Sequence, residues 1–350
     1  MRSGSSARLA IAWLAVAAPF TGATSGNLWA QEDVHVREHV DVRRVLVDAR
    51  VVDSRGDPIE GLTQDDFRVV IDGKPAQLES AEWISDTHPY AEGLTPEQAA
   101  ATGGVPGLPG RLVVFFFQSD FAAPRLSGLI RMGARAIRFL DTLKPEDRVA
   151  VLSFDSHLKL RLDFTNDRAR IERAIHAAIL HGEPPPIQPG PRPSLASSFD
   201  RAAARKAASP EAGLLVTADA LKALPGPKSL VFFGWGLGQL MRPWVVMDRA
   251  YVPACRALAA ARVTVFAIDV TDADTHDLEV GLEQVAEDTG GFYAKTNLFP
   301  GQAMARLAGA VAGHYLLVVV RPDIPHGTHA VTVELTRAKG TVLVRPTFED

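Results

Sequence analysis

The chain has 350 residues, enough for two domains around well-buried cores. Its composition, 47% hydrophobic and 22% charged, is ordinary for a globular protein and excludes wholesale disorder. The net charge is -4 and, less the two positive charges of Arg2 and Arg8, -6 beyond the first thirty residues, so neither value points to a nucleic-acid partner with its need for a clustered basic face.

Residues 1–30 have the pattern of a secretory signal. Arg2 and Arg8 make a positive start, residues 9–20 a short apolar core, and Ala23 and Ala30 offer small-residue cleavage points, with the cut expected after Ala30. The apolar run is too short for a membrane span, and no later stretch has the length and apolarity of one. The sequence therefore predicts a secreted or periplasmic protein without an integral span. Cys255 is the only cysteine, which permits no internal disulfide; in an Ala- and Leu-rich helical pattern it is expected to be a small buried apolar residue.

Residues 31–86 make an N-terminal β segment. Val40, Val42, Val45 and Val47 alternate, and further strands are expected at 51–52, 67–71 and 78–84, with Gly, Asp and Pro in the turns at 53–58 and 72–75. Residues 87–110 turn to Pro, Gly, Ala and Thr with little periodicity, as in a linker. From Arg111 strand and helix alternate. The apolar run 112–117 stops at Gln118, Ser119 and Asp120 and is followed by helical spacing at Leu126, Leu129, Ile130, Ile137, Leu140 and Leu143. That is the pattern of a buried parallel strand feeding its crossover helix, and ligands of such sheets bind just past the carboxyl ends of the strands. A strand at 147–154 follows, then a helix at 167–180 capped by Thr165 or Asn166. Residues 183–193 hold six prolines and are expected to be an irregular arm. Next come a helix from Ser209-Pro210 to Leu224, strands at 228–233 and 263–268, a helix at 278–289 closed by Gly290-Gly291, and a helix near 303–311. Strand rhythm returns at 314–320, 328–336 and 341–344. The predicted class is α/β: a doubly wound, mostly parallel sheet over 111–312, flanked by antiparallel segments at 31–86 and 313–350. The two segments suit one shared β-sandwich into which the α/β block is inserted, although two separate β units would use the same residues.

In order, RLVVFFF (111–117), LKPEDRVAVLSF (143–154), LPGPKSLVFF (224–233), ARVTVFAID (261–269), AEDTGGFYA (286–294) and HYLLVVVRP (314–322) resemble a von Willebrand factor type A domain. With VVDSRGDPIEGLTQDDFRVVIDGKP (51–75) ahead of it, the whole resembles the secreted bacterial branch of that family. The resemblance implies a doubly wound sheet with a divalent cation at its top, held by an Asp-x-Ser-x-Ser motif after the first strand, a Thr from a later loop and an Asp after the third long strand. Hard cations of this kind need oxygen ligands and carboxylate charge. This chain departs at both charged positions. Gln118, Asp120 and Ala122 stand in the first motif, and Gly234-Trp235-Gly236 replaces Ser-Asp-Gly. The resemblance then implies a binding surface of Gln118, Ser119, Asp120, Gly234, Trp235 and Gly236 with no metal and no cofactor, facing a protein partner whose identity the sequence does not give.

Trp235 has two readings: filler on its own sheet top, or an aromatic anchor for a partner, which an exposed Trp244 would strengthen if both rings face solvent. Asp269, Asp272, Asp274, His276, Asp277 and Glu283 form an acidic cluster whose spacing from Asp272 to Glu283 loosely matches a calcium loop. Asp277 stands where that loop needs its turn Gly, and a solvated loop capping the next helix explains the cluster as well. Ser119, Ser153 and the histidines lack a Gly-x-Ser-x-Gly elbow, and Gly234 to Gly238 lack a phosphate-loop Lys. The sequence thus predicts a non-enzymatic protein-binding or adhesion module with a degenerate metal site. Its rivals are a cation-dependent adhesin using Asp120 and the 269–277 loop, and an extracytoplasmic hydrolase.

Overall fold

The structure is a computed structural model that describes residues 44–85, 110–180, 182–191 and 193–349. The expected signal at 1–30 and residues 87–109 of the expected linker lie outside the described residues.

The chain opens with strands β1 (Arg44–Val52), β2 (Phe67–Ile71), β3 (Lys74–Ala76) and β4 (Leu78–Ser85). The inserted block begins with β5 (Leu112–Gln118), helix α1 (Ala123–Phe139), β6 (Arg148–Phe154), β7 (Leu158–Thr165) and α2 (Arg168–Ile179). It continues through α3 (Arg201–Lys206), α4 (Pro210–Leu221), β8 (Lys228–Gly234), the hairpin β9 (Gln239–Met241) and β10 (Trp244–Val246), and α5 (Tyr251–Ala260). It closes with β11 (Val263–Asp269), α6 (Glu279–Asp288), β12 (Tyr293–Lys295) and α7 (Pro300–Ala310). The carboxyl-terminal strands are β13 (Gly313–Val320), β14 (Thr328–Leu335), β15 (Thr341–Val344) and β16 (Thr347–Glu349). No described helix is long and apolar enough to cross a membrane.

The central sheet has the order β12-β11-β8-β5-β6-β7, parallel except for the edge strand β7. Strands β5, β8 and β11 are buried along their whole length, because helices cover both faces, and this is why they appear in sequence as unbroken apolar runs. Phe116 stacks on Phe232 at 5.0 Å on one face, and Phe117 on Phe233 at 4.7 Å on the other. The strand order reverses direction at β5, so the crevice between the carboxyl ends of β5 and β8 is the topological switch point where doubly wound sheets bind ligands.

Both ends of the chain build one β-sandwich, as the flanking segments predicted. One sheet has the order β15-β1-β13-β4, the other β16-β14-β2-β3. Strand β1 therefore lies between two carboxyl-terminal strands, with Val47 opposite Leu317 and Val51 opposite Val342. Val47, Ala49, Val51, Phe67, Val69, Tyr315, Leu317 and Val333 share the core between the sheets. At its centre the fully buried Tyr315 accepts from the Leu62 amide and donates to the Ile59 carbonyl, both at 2.9 Å.

Several local expectations are corrected. Helix α2 is capped by Asp167, whose side chain accepts from the Arg170 amide, so neither Thr165 nor Asn166 caps it. Helix α4 stops at Leu221, three residues before Leu224, because Leu224 precedes Pro225 and a residue before proline is held out of helical backbone. Strand β7 is an element the periodicity reading passed over. Its Leu158, Leu160, Leu162 and Phe164 alternate with polar residues, of which Lys159 and Asp163 are buried too, but the turn before it, Asp155-Ser-His157, carries no Gly, Pro or Asn to announce a hairpin. On α1 the core residues are Leu129, Met132, Ala136 and Phe139, while Ile130 is exposed.

Candidate functional site at the sheet top

Gln118 is the last residue of β5 and is buried, at 3% exposure. Its side chain crosses the switch point: Oε1 accepts from the backbone N–H of Trp235 at 2.9 Å and of Gly236 at 3.3 Å. The carboxamide thereby binds the loop after β8 to the end of β5. Gly234 makes room for it, since a Cβ there would lie 2.7 Å from Gln118 Oε1 and 2.1 Å from the Phe232 ring. The two departures from the family motif are therefore sterically coupled. Gly236 sits at φ 155°, where a side chain would also strike Leu278.

Ser119 turns inward. Its N–H donates to the Phe154 carbonyl at 2.7 Å and its Oγ donates to the Ala178 carbonyl at 2.5 Å, so it ties β5 to β6 and α2. Asp120 accepts from the Ala122 amide at 2.8 Å and from Arg125 Nη1 at 2.5 Å. Arg125, in the first turn of α1, lies over the Trp235 ring at 3.6 Å from the centroid. A chain of charge and π contact thus runs from Asp120 through Arg125 to Trp235. The sequence reading did not single out Arg125; its position five residues after Asp120, at the start of a helix, was the available signal.

Trp235 is partly buried and packs against the core, with its indole Nε1 buried and without a hydrogen-bond partner. Beside it an open cleft of about 500 Å3 is lined by residues including Arg125, Trp235, Leu240, Thr271, His276 and Leu278. The hairpin β9–β10 borders this cleft through Leu240 and carries Met241, Val246 and Trp244, the last 73% exposed. Only one of the two tryptophan rings therefore faces solvent.

The residues at the family's cation position do not fit a divalent ion. Gln118 supplies one neutral oxygen already engaged by two backbone amides, Ala122 and Trp235 supply none, and Asp120 carries an arginine. In the acidic loop Asp272 and Asp274 take separate partners. Asp272 binds Arg131 at 2.7 Å and Ser127 at 3.0 Å, and Asp274 accepts from Asn297 at 2.6 Å. The loop itself is largely solvated, with Asp272, Asp274 and Asp277 exposed, and the buried member of the acidic cluster is Asp269, the last residue of β11. Asp269 is buried and accepts from Tyr293 at 2.8 Å and from the Thr271 amide at 2.9 Å, with His276 Nε2 at 2.9 Å. Asp269, His276 and Glu279 offer ligand atoms within 4.8 Å of one another and form the one described group that could hold a metal. Lys295 Nζ stands 2.9 Å from Glu279 and already supplies positive charge there. Burial pushes the Glu279 carboxyl up, and Lys295 outweighs it and holds it below its usual value.

Among the described residues, the serines singled out for a hydrolase at the sheet top make no hydrogen bond to a histidine. Ser153 Oγ accepts from Arg161 Nε at 2.7 Å. Sequence reasoning missed a short string elsewhere: Ser156 Oγ lies 3.0 Å from His157 Nδ1, and His157 Nε2 lies 3.2 Å from Glu183. It sits on an exposed turn, and Ser156 Oγ also donates to Asp155 at 3.0 Å.

No protein-family model and no curated protein matches the chain. Solved structures with a similar fold include BatB from Bacteroides thetaiotaomicron, at 14% identity and a TM-score of 0.37, covering 57% of this chain and 97% of that one. A von Willebrand factor type A protein from Catenulispora acidiphila is 10% identical with a TM-score of 0.42, covering 83% and 74%. A variant of the PilB minor pilin from Streptococcus sanguinis is 11% identical with a TM-score of 0.34, covering 58% and 61%, so the chain spans less than two thirds of that pilin. At these identities and scores the likenesses carry no argument about function.

Proposed function

We propose that the chain is a secreted or periplasmic, non-enzymatic binding module of the von Willebrand factor A-like kind, which engages a protein partner at the sheet top without a cation. One observation carries this reading: the groups at the cation position are satisfied by the protein itself, Gln118 by the backbone of Trp235 and Gly236 and Asp120 by Arg125. A cation would have to displace Arg125 and break the bridge across the switch point before reaching a single carboxylate. The cleft beside Trp235 and the apolar hairpin at its border give a partner a concave and a convex feature to grip.

The half-burial of Trp235 and its contact with Arg125 support a role in shaping the surface, with Trp244 as the exposed ring. Two measurements test the proposal. Millimolar Mg2+, Mn2+ or Ca2+ should leave the melting temperature unchanged, since a ligand at a hundred times its Kd would add about 2.7 kcal/mol; a rise of several degrees refutes the cation-free reading. Pulldown from the envelope fraction of the source cell should recover the same partner with and without chelator, and Trp244→Ala should weaken that capture while leaving stability intact. Partner capture that vanishes on chelation would favour the cation-dependent adhesin.

A further inference from the structure

The hairpin β9–β10 carries an apolar face open to water. In its ladder Met241 lies opposite Trp244 and Gln239 opposite Val246, so these four side chains share one face, while Leu240 and Val245 share the other. Met241, Trp244 and Val246 are exposed on the first face, and Leu240 on the second lines the cleft beside Trp235. A two-stranded hairpin is marginal in water, and exposed apolar side chains gathered on one marks a surface that docks.

Charge separates the hairpin from the cleft. From Trp235 to Met247 the chain carries a single charge, that of Arg242 at the hairpin turn, and no acid. Around the cleft most charged groups are matched internally: Arg125 by Asp120, Asp272 by Arg131, and His276 by Asp269. The charge left over among the lining residues is that of Asp277. Arg242 and Asp277 are both exposed, and neither makes an ion pair among the described residues.

The apolar, positive projection and the partly apolar, negative recess adjoin each other, because Leu240 belongs to both. A two-fold axis needs this arrangement. An isologous patch meets its own copy, so it must offer what it also receives. A patch shaped for an unlike partner has no need of both members of the pair.

We propose that the sheet top is the interface of an isologous homodimer, in which the hairpin of each copy enters the cleft of the other. Met241 and Trp244 then pack against Trp235 and Leu278, and Arg242 meets Asp277. A cavity of about 150 Å3 holds a benzene ring, so the cleft of about 500 Å3 has room for the tryptophan and the methionine together. Trp244 is the expected hot spot. The inference rests on the reading of cleft and hairpin as a partner surface and names the partner as a second copy of this chain.

The test is sedimentation velocity of the full chain over a range of concentrations up to about 100 µM, where dimers are expected. Arg242→Glu and Asp277→Arg should each weaken dimerisation at least tenfold, and Trp244→Ala as much. The melting temperature of the dilute monomer should stay unchanged in all three, because these side chains are exposed. An equimolar mixture of the Arg242→Glu and Asp277→Arg proteins should dimerise again, since in the mixed pair both contacts between positions 242 and 277 join opposite charges; a misfolded variant would not be rescued. Monomers at every concentration overturn the inference and leave the sheet top to an unlike partner, which the envelope pulldown detects independently. Dimers that persist in Trp244→Ala and in both charge variants form through another surface and overturn it too, as does a mixture that stays monomeric.

Discussion

Replacing Gln118 with Met tests the bridge across the switch point directly. Methionine keeps the reach and approximate volume of glutamine but offers no acceptor to the amides of Trp235 and Gly236. Gly236 is buried, so its N–H would be left dry, whereas Trp235 is only partly buried and its N–H can recover some hydration. An unsatisfied buried donor costs about 1–3 kcal/mol, and the longer 3.3 Å bond to Gly236 contributes less, so Gln118→Met should lose about 2–4 kcal/mol. Urea unfolding followed by tryptophan fluorescence reads this as a lower midpoint at unchanged slope, the sign of a stability change without a change in surface exposed. Hydrogen exchange should quicken at the amides of Trp235 and Gly236 before it does so elsewhere in the sheet. A loss under about 0.5 kcal/mol with unchanged exchange at those amides would refute the claim that Gln118 holds the loop after β8.

Two further outcomes follow from the packing. Lys228 has a folded pKa lowered to about 7, against about 10.4 for a free lysine, so between those values the unfolded chain binds more protons than the folded one and stability should rise with pH. Lys228→Met should flatten that rise in urea midpoints taken from pH 7 to 10; parallel profiles for the two proteins would contradict the burial argument. Ending the chain at Ala312 removes β13 and β15 from either side of β1 and β14 from β2, so residues 44–52 should lose hydrogen-exchange protection. Native protection of β1 in that truncated protein would show that the amino-terminal strands do not depend on the carboxyl-terminal ones.

Much of the architecture was legible because burial leaves a local trace. A strand covered on both faces is apolar over most of its length, so β5, β8 and β11 stand out in sequence; the edge strand β7, whose apolar run is broken by Lys159, Arg161 and Asp163 and which no turn residue announces, did not. The loss of charge at the sheet top was legible for a simpler reason. Glutamine at 118 and tryptophan at 235 carry no carboxylate in any fold.

Tertiary structure decided what those residues do instead. The oxygen of Gln118 meets the amides of Trp235 and Gly236, 117 and 118 residues away, and Gly234 is required by the space that side chain fills. The same holds for Arg125 on Trp235, for Asp269 drawn into a buried network with Tyr293, and for Asp48 meeting Arg262 across 214 residues. Periodicity records whether a residue faces a core, because that depends on the repeat of its own strand or helix. Which distant group it meets there depends on strand order, register and the docking of the sandwich against the α/β block, and no local pattern in the chain carries that information.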